Sequence, residues 1–395
     1  MAINLELPEK LNSTVERARL AAEHIFRPIS RKYDKAEHEY PTELDELGKI
    51  AKQARSGDKD ADKGADKGET VNGANIRSVL NARELSWGDV GLMLSIPYQG
   101  LGNAAIAAVA NDEQLERFAD VWAAMAITEP SFGSDSAAVS TTAVLDGDEY
   151  VINGEKIFVT AGSRADHVVV WATLDKSVGR AAIKSFVVPL NSTGVTVARL
   201  EEKLGLKASD TAVIVFDDVR VPAENLLGSP DIEVRKGFGG VMQTFDNTRP
   251  VVAAMAVGLG RAALEELRRM LEEAGHEIDY DRPAAAQHAS VADFIRLESD
   301  WEASWMLALR AAWMADNKTP NSAEASMSKA KAGRMVTELT NKAVEIGSTA
   351  AFSETELLEK WARDSKILDI FEGTQQIQQL IIARKVLGKN SADLK

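Results

Sequence analysis

The 395-residue chain contains no cysteine. That absence excludes a disulfide scaffold, a thiolate zinc site, an iron–sulfur cluster and cysteine nucleophile chemistry. Histidine is scarce, with five residues at positions 24, 38, 167, 276 and 288. None shows clustered or i, i+4 ligand spacing, so no metal site is expected. Positive charge is in deficit, 46 Lys plus Arg against 60 Asp plus Glu, a net of −14 that argues against a nucleic-acid face. No apolar run approaches the ~18–20 residues of a membrane span. The opening stretch, MAINLELPEKLNSTVERARL, has neither the apolar core of a signal peptide nor the acid-free Arg/Ser bias of a transit peptide, which makes the cytoplasm the expected location. With 45% hydrophobic and 27% charged residues, the balance is that of an ordinary globular protein. The length suggests roughly two or three domains of ~100–200 residues.

Periodicity divides the chain in three. Leu11, Val15, Ala18, Ala22, Ile25 and Ile29 recur at helical steps, and the helical period returns from Ile76 to Phe118. Between them, residues 56–73 (SGDKDADKGADKGETVNG) are nearly free of apolar side chains and read as a solvated loop. From Trp122 the period shortens. Ala123–Thr128, Tyr150–Ile152, Lys156–Thr160, His167–Thr173, Ser185–Pro189 and Thr211–Phe216 read as strands, with Asn153-Gly154 as a hairpin turn between the second and third. After about Gly240 the helical spacing resumes, Val252 to Leu267 lining one helix and Phe294 to Trp313 another. The expectation is an α+β chain: an N-terminal helical domain at 1–122, a middle antiparallel β-barrel or sandwich at 123–239, and a C-terminal four-helix bundle at 240–395.

Three clusters could carry chemistry. Ala126-Ile-Thr-Glu-Pro-Ser-Phe-Gly-Ser-Asp135 follows the first strand and offers hydroxyls, a glycine and backbone N–H groups to a polar ring edge or a phosphate. In Lys156-Ile-Phe-Val-Thr-Ala-Gly162 the alternation puts Phe158 and Thr160 on one face, an aromatic beside a hydroxyl. Ile370-Phe-Glu-Gly-Thr-Gln-Gln-Ile377 places one Glu at a helix–helix junction next to Gly373, which permits close approach to the backbone. Each alone has an ordinary structural explanation as a polar turn, sheet packing or a surface charge.

Taken together, and in this order, they resemble the acyl-CoA dehydrogenase family, its medium-chain-like branch in particular. Thr128-Glu-Pro-x-x-Gly-Ser-Asp135 is similar to the family's first signature, and Gly147-Asp-Glu-Tyr-Val-Ile-Asn-Gly-Glu-Lys-Ile-Phe-Val-Thr160 to its sheet segment. Phe245-Asp-Asn-Thr-Arg-Pro-Val-Val-Ala-Ala254 resembles the start of the central C-terminal helix, and Ile370-Phe-Glu-Gly-Thr-x-Gln-Ile-Gln378 the catalytic stretch. The resemblance implies FAD-dependent α,β-dehydrogenation of an acyl-CoA thioester to the trans-2-enoyl-CoA, in fatty-acid or steroid side-chain β-oxidation. Glu372 would be the base, with the hydride passing to flavin N5. Holding the thioester oxygen between the base's own backbone N–H and a flavin hydroxyl would stabilise the enolate. Met125, Ile127, Thr128, Gly133, Ser134, Val159 and Thr160 would surround the flavin ring, with Phe158 over one face, while Thr374 and Gln376 would reach its nucleotide part. Ser134, Asp246 and Arg249 would meet the CoA, and Gly373 would leave room for the thioester. Electron-transfer flavoprotein would be the electron acceptor. A structural subunit without turnover and an acyl-CoA oxidase are the competing readings.

The pattern breaks where family members donate residues to a neighbouring subunit's FAD. Glu277-Ile-Asp-Tyr-Asp281 stands where an Arg-x-x-Phe-Gly stretch belongs, His288 where a Gln belongs, and Glu345-Ile-Gly-Ser-Thr-Ala-Ala351 in place of a glycine turn. A carboxylate in place of that Arg repels a pyrophosphate by up to ~1 kcal/mol and removes charge-assisted bonds of about 1.5–3 kcal/mol each. A hetero-oligomer follows as the expectation, α2β2, in which a homologous subunit supplies the missing groups. Otherwise a homotetramer or homodimer is expected. Asp58-Lys-Asp-Ala-Asp-Lys-Gly64 with Glu69 has a calcium loop's spacing of acids but Lys63 where the turn needs glycine, so a solvated insertion is expected there.

Overall fold

The computed structural model describes residues 9–57, 73–232 and 239–389. The calcium-like stretch from Asp58 to Glu69 lies outside them. Helix α1 (Glu9–Ala21) passes through a π-helical turn at Ala22–Phe26 into α2 (Arg27–Lys35), followed by α3 (Asp45–Gly57), α4 (Ala74–Gly88), α5 (Val90–Leu94), α6 (Leu101–Val109) and α7 (Asp112–Arg117). The helical period between Ile76 and Phe118 is thus cut into four pieces. Its caps are local: the Asp89 carboxylate accepts from the Leu92 N–H to start α5, and Asn111 and Gln114 form a reciprocal capping box at α7.

Seven strands follow: β1 (Ala123–Ala126), β2 (Thr142–Asp146), β3 (Glu149–Thr160), β4 (His167–Thr173), β5 (Ile183–Pro189), β6 (Val195–Leu200) and β7 (Thr211–Pro222). They form one curled sheet in the order β1-β4-β2-β3-β7-β6, with β5 paired to β4. Two expectations need correction. The sheet is mixed rather than antiparallel, because β1 runs parallel to β4 and β2 meets the end of β4 in parallel. And Asn153-Gly154 is not a hairpin turn. The two short runs around it are one strand, β3, and the true turn is Gly147-Asp148, where Asp146 pairs with Glu149 and Gly147 takes φ +68°. Asn153-Gly154 marks instead a register shift against β7. A Cβ on Gly154 would lie 2.4 Å from the Thr141 hydroxyl, and the Asn153 amide bonds Asp218 across the ladder. The positive-φ signal was real, but a bulge used it.

The C-terminal part comprises α8 (Gly239–Glu273), α9 (Ala289–Asp316), α10 (Ser322–Ala351), α11 (Leu358–Leu368) and α12 (Gln375–Val386). Helices α8, α9 and α10 share a core through Leu259, Leu267, Phe294, Leu297, Val336 and Leu339, to which α4 adds Val79 and Leu80. Pro250 interrupts α8. Lacking an N–H, it leaves the Asp246 carbonyl without its helical donor, and the Asn321 amide fills the gap at 3.4 Å. Among the described residues, no helix is long and apolar enough to cross a membrane.

A buried charge cluster ties the parts together. Lys360 on α11 donates to Asp89 at 2.7 Å and to Asp364 at 2.5 Å; Ser30 on α2 donates to Asp89, and Asp364 accepts from the Leu206 N–H at 2.6 Å, in the loop before β7. Burial alone favours a neutral Lys360, but Asp364 and Asp89 outweigh it and hold the ammonium above its ordinary pKa. Replacing Lys360 with Met leaves two carboxylates facing each other out of water. We expect a loss of about 3–5 kcal/mol, read as a drop in the urea midpoint, and a smaller loss when Asp89 and Asp364 are both made Asn as well.

Candidate active site

The α11–α12 junction carries Glu372 on a left-handed backbone, φ +55°, followed by Gly373 at φ +96°. Such a conformation strains a non-glycine residue by about 1–3 kcal/mol and persists only where neighbours over-determine it. The neighbours are visible. Thr248 on α8 donates its hydroxyl to Glu372 Oε2 at 2.5 Å. The Gln378 amide donates to both the Glu372 and Gly373 carbonyls at 3.0 Å, and Lys329 on α10 donates to the Gly373 carbonyl at 2.9 Å. Thr374 caps α12 by accepting from the Ile377 N–H. Burial pushes the Glu372 carboxyl above its ordinary pKa, while the Thr248 hydroxyl and the charges of Arg249 and Lys329 pull it back. The carboxylate is therefore held toward α8 and is a stronger base than a solvated one.

The sheet supplies a second surface. Phe158 is 60% exposed at φ +58°, on a bulge between Lys156 and Val159. The bulge turns Lys156 and Val159 inward, although they are three residues apart, and sets Phe158 outward. Thr128 and Thr160 are half-buried, and the Thr128 carbonyl accepts from the Ile157 N–H, pinning the first loop to β3. Gly133 approaches Thr128, since a Cβ placed on it would lie 3.9 Å from the threonine methyl. Gly133 and Ser134 are exposed. Met125 and Ile127 pack on the apolar cluster around Phe118 and Val169, and the Val159 side chain is wholly buried, leaving its backbone as the group able to face a ligand. An exposed aromatic on strained backbone, flanked by two hydroxyls, fits a flat ring with polar edges.

Three features of the site were not readable from the sequence. The first is Glu129, buried behind the Thr128 loop, which accepts from Lys156 Nζ at 2.7 Å and from the backbone and hydroxyls of Ser140 and Thr141. Burial works against its charge, but these donors outweigh it and bring its pKa down to about 2. Burial lowers Lys156 to about 8. The second is Lys329, and the third Thr248, whose partners lie 44 and 124 residues away. Arg249 was expected at the CoA end. It is 3% exposed, paired with Asp246 at 3.1 Å, and close enough to Glu372 to stabilise its charge. Asp246 is further occupied by the Ser322 hydroxyl. The space at Gly373 is taken by the Gln378 amide, 2.5 Å from where a Cβ would sit, so that glycine serves the turn itself. Gln376 is exposed in the first turn of α12.

A family model for the acyl-CoA dehydrogenase middle domain matches residues 124–219, and one for the C-terminal domain matches residues 235–387. The mitochondrial short-chain specific acyl-CoA dehydrogenase of Bos taurus is 31% identical over 97% of this chain and 92% of its own length. The chain belongs to the acyl-CoA dehydrogenase family. The butyryl-CoA dehydrogenase of Megasphaera elsdenii superposes with a TM-score of 0.86 at 27% identity, covering 98% of this chain and all of that one. A subunit of the caffeyl-CoA reductase-Etf complex of Acetobacterium woodii is 37% identical over 67% of this chain and 68% of its own length.

Where other acyl-CoA dehydrogenases are expected to hold a neighbour's flavin, this one is already internally satisfied. Arg268 bonds the Tyr280 hydroxyl at 2.6 Å and Glu298 at 3.0 Å, and the Tyr280 hydroxyl donates to Glu298 at 2.6 Å. Glu277 is exposed. His288 stacks on His276 at 4.1 Å, and its Nδ1 accepts from the Ser290 N–H as the cap of α9. The segment from Glu345 to Ala351 continues α10, with a break at Ser348 (φ 51°, ψ −135°) rather than a glycine turn. Neither carboxylate-bearing stretch offers an anion a cation that is not already paired. Among the described residues, no cluster of three or more metal ligands occurs.

The bracing pair gives a test of its own. Glu129→Gln strands the Lys156 ammonium inside the sheet and should cost about 3–5 kcal/mol in denaturant unfolding, whereas Glu129→Met combined with Lys156→Met should cost much less.

Proposed function

We propose that this acyl-CoA dehydrogenase catalyses α,β-dehydrogenation of an acyl-CoA thioester, with Glu372 taking the α-proton. The observation that carries the reading is Glu372 itself: a carboxylate on a left-handed turn, held by Thr248 and made more basic by burial. A thioester α-proton is a weak acid, and only a desolvated, positioned carboxylate is matched to it. Arg249 and Lys329 favour the ionised form of Glu372 against the burial that raises its pKa. FAD, when bound, supplies the hydride acceptor. Thr128, Thr160 and the backbone at Val159 would hold the polar edge of its ring, with Phe158 against one face and Met125, Ile127, Gly133 and Ser134 completing the cradle. Thr374 and Gln376 would meet the nucleotide, and Ser134 with Asp246 the CoA.

The ring half of the cradle fits this chain, and the half that family members lend to a neighbour does not. We therefore read the working assembly as an α2β2 hetero-oligomer whose homologous subunit supplies the groups that grip the pyrophosphate. The names of two relatives, the caffeyl-CoA reductase-Etf complex subunit and a chain from the electron-transferring flavoprotein study of Acidaminococcus fermentans (30% identical, TM-score 0.85), support an electron-transfer flavoprotein as acceptor.

Glu372→Gln in the assembled complex should lower kcat by about 10²–10⁴-fold with flavin content unchanged. Unchanged turnover would move the base to the partner and leave this chain a structural role. Because the base works deprotonated and its pKa is raised, kcat/KM should fall as pH drops through a value above the ordinary carboxylate range. Thr248→Val, which removes a donor to the charged form, should move that limb higher still. Expressed alone, the chain should bind little FAD, and co-expression with the homologous subunit should restore the flavin spectrum. Full loading of the isolated chain defeats the hetero-oligomer.

A further inference from the structure

We propose that Lys329 is a positioning residue for the base: its ammonium clamps the Gly373 carbonyl and so fixes the left-handed turn that presents Glu372. The inference rests on the reading of Glu372 given above, and extends it to a side chain on another helix.

The geometry is specific. Lys329 is 0% exposed, and its Nζ has one carbonyl within reach, that of Gly373 at 2.9 Å. A fully buried lysine is rare unless it is paired. Among the described residues no carboxylate bonds it directly, so the clamp is a charge-assisted bond to backbone. The same carbonyl also accepts from Gln378, so two side chains, one from α10 and one from α12, converge on the peptide that follows the base. Helix α10 is pressed against this segment: a Cβ on Gly333, one turn along from Lys329, would lie 2.7 Å from the Leu368 carbonyl. The turn is thus seated on α10 at both ends, and Lys329 is the contact nearest the base.

The charges that face Lys329 come from two elements. Asp369 and Glu372 on the α11–α12 junction favour its ammonium, and Arg249 on α8 opposes it, while burial brings it down to about 8. Near neutral pH most of the lysine is therefore charged, and that charge favours the ionised form of Glu372. The structure gives Lys329 two separable effects on Glu372, one through the turn and one through the field.

Two variants separate them. Lys329→Met removes donor and charge, and Lys329→Gln keeps a donor without the charge. Hydrogen exchange of the amides at 371–376 in the full-length chain, without cofactor, should speed up at least about ten-fold in Lys329→Met and less in Lys329→Gln. Exchange elsewhere in α10 serves as the control for general loosening. In the assembled complex, kcat should fall at least about ten-fold in Lys329→Met with KM little changed, and recover partly in Lys329→Gln. The acid limb of kcat/KM should rise by about half a unit in both, because both lose the charge. Unchanged exchange at 371–376 overturns the clamp whatever happens to turnover. Loosening throughout α10 does so too, by showing a merely structural lysine. If the wild-type complex fails to oxidise any acyl-CoA, the dehydrogenase reading falls while the exchange measurement still decides the clamp.

Discussion

A carboxylate becomes basic enough to attack a carbon acid only if water is kept from it, and a carboxylate kept from water prefers to be protonated. The site around Glu372 is built on that conflict. Burial raises its proton affinity, and Thr248, Arg249 and Lys329 each restrain the rise. None of the three sits on the junction that carries Glu372. The hydroxyl and the guanidinium belong to α8, and the ammonium to α10. The position of one side chain therefore depends on how α8 and α10 pack against the junction, which is why the bundle core of Leu259, Val336 and Leu339 matters to a carboxylate some distance from it. The strained φ at Glu372 belongs to the same arrangement, since a relaxed turn would let the carboxylate swing to solvent.

The same logic recurs where no reaction takes place. Glu129 and Lys156 form a buried pair behind the Thr128 loop, with five donors converging on one carboxylate. Buried pairs add little net stability relative to apolar packing, but breaking one is expensive. What the pair does supply is registration. It fixes β3 against the loop after β1, and so fixes the spacing of Thr128 from Phe158 and Thr160. The Lys360 cluster does this between α2, α5, α11 and the loop before β7. Each is a point at which a shift of one residue would leave a charge unpaired out of water.

How much of this the sequence shows depends on the distance between partners. Helical and strand periods are local, so the helix–sheet–helix order and the junction at Glu372 were legible, whereas Phe158 turns outward through a bulge that breaks the alternation. The short strands β2 and β6 were not, because Thr142–Asp146 and Val195–Leu200 present mostly half-buried or exposed residues that carry no strong alternation. The parallel pairing of β1 with β4 left no local mark either, as it is set by where the chain returns. Asn153-Gly154 misled for an instructive reason: a turn and a bulge make the same demand for positive φ, and only the facing Thr141 distinguishes them. Lys329, Glu129 and Thr248 look like any lysine, glutamate or threonine on a helix or loop. Their roles come from partners across the fold, and nothing within several residues of them announces it.

The electrostatics of the chain also bear on the proposal that a homologous subunit completes the dinucleotide site. A pyrophosphate needs donors that are not already committed, and charge-assisted bonds contribute about 1.5–3 kcal/mol each. Arg268 on α8 is held by Tyr280 and Glu298, and in the stretch from Glu273 to Glu298 Arg282 and Arg296 face Asp279 and Asp293 while Glu277 and Asp281 are exposed. Freeing Arg268 would forfeit its own pairing, so its net gain toward a phosphate is small. Each added carboxylate nearby contributes repulsion of the order of 1 kcal/mol. Phe158, by contrast, is an exposed aromatic on strained backbone. Under the proposal made above, the ring half of the site stays on this chain and the pyrophosphate half comes from a related one. Simple loss of the cofactor would instead leave the strain of Phe158 at φ +58° without a ligand to offset it.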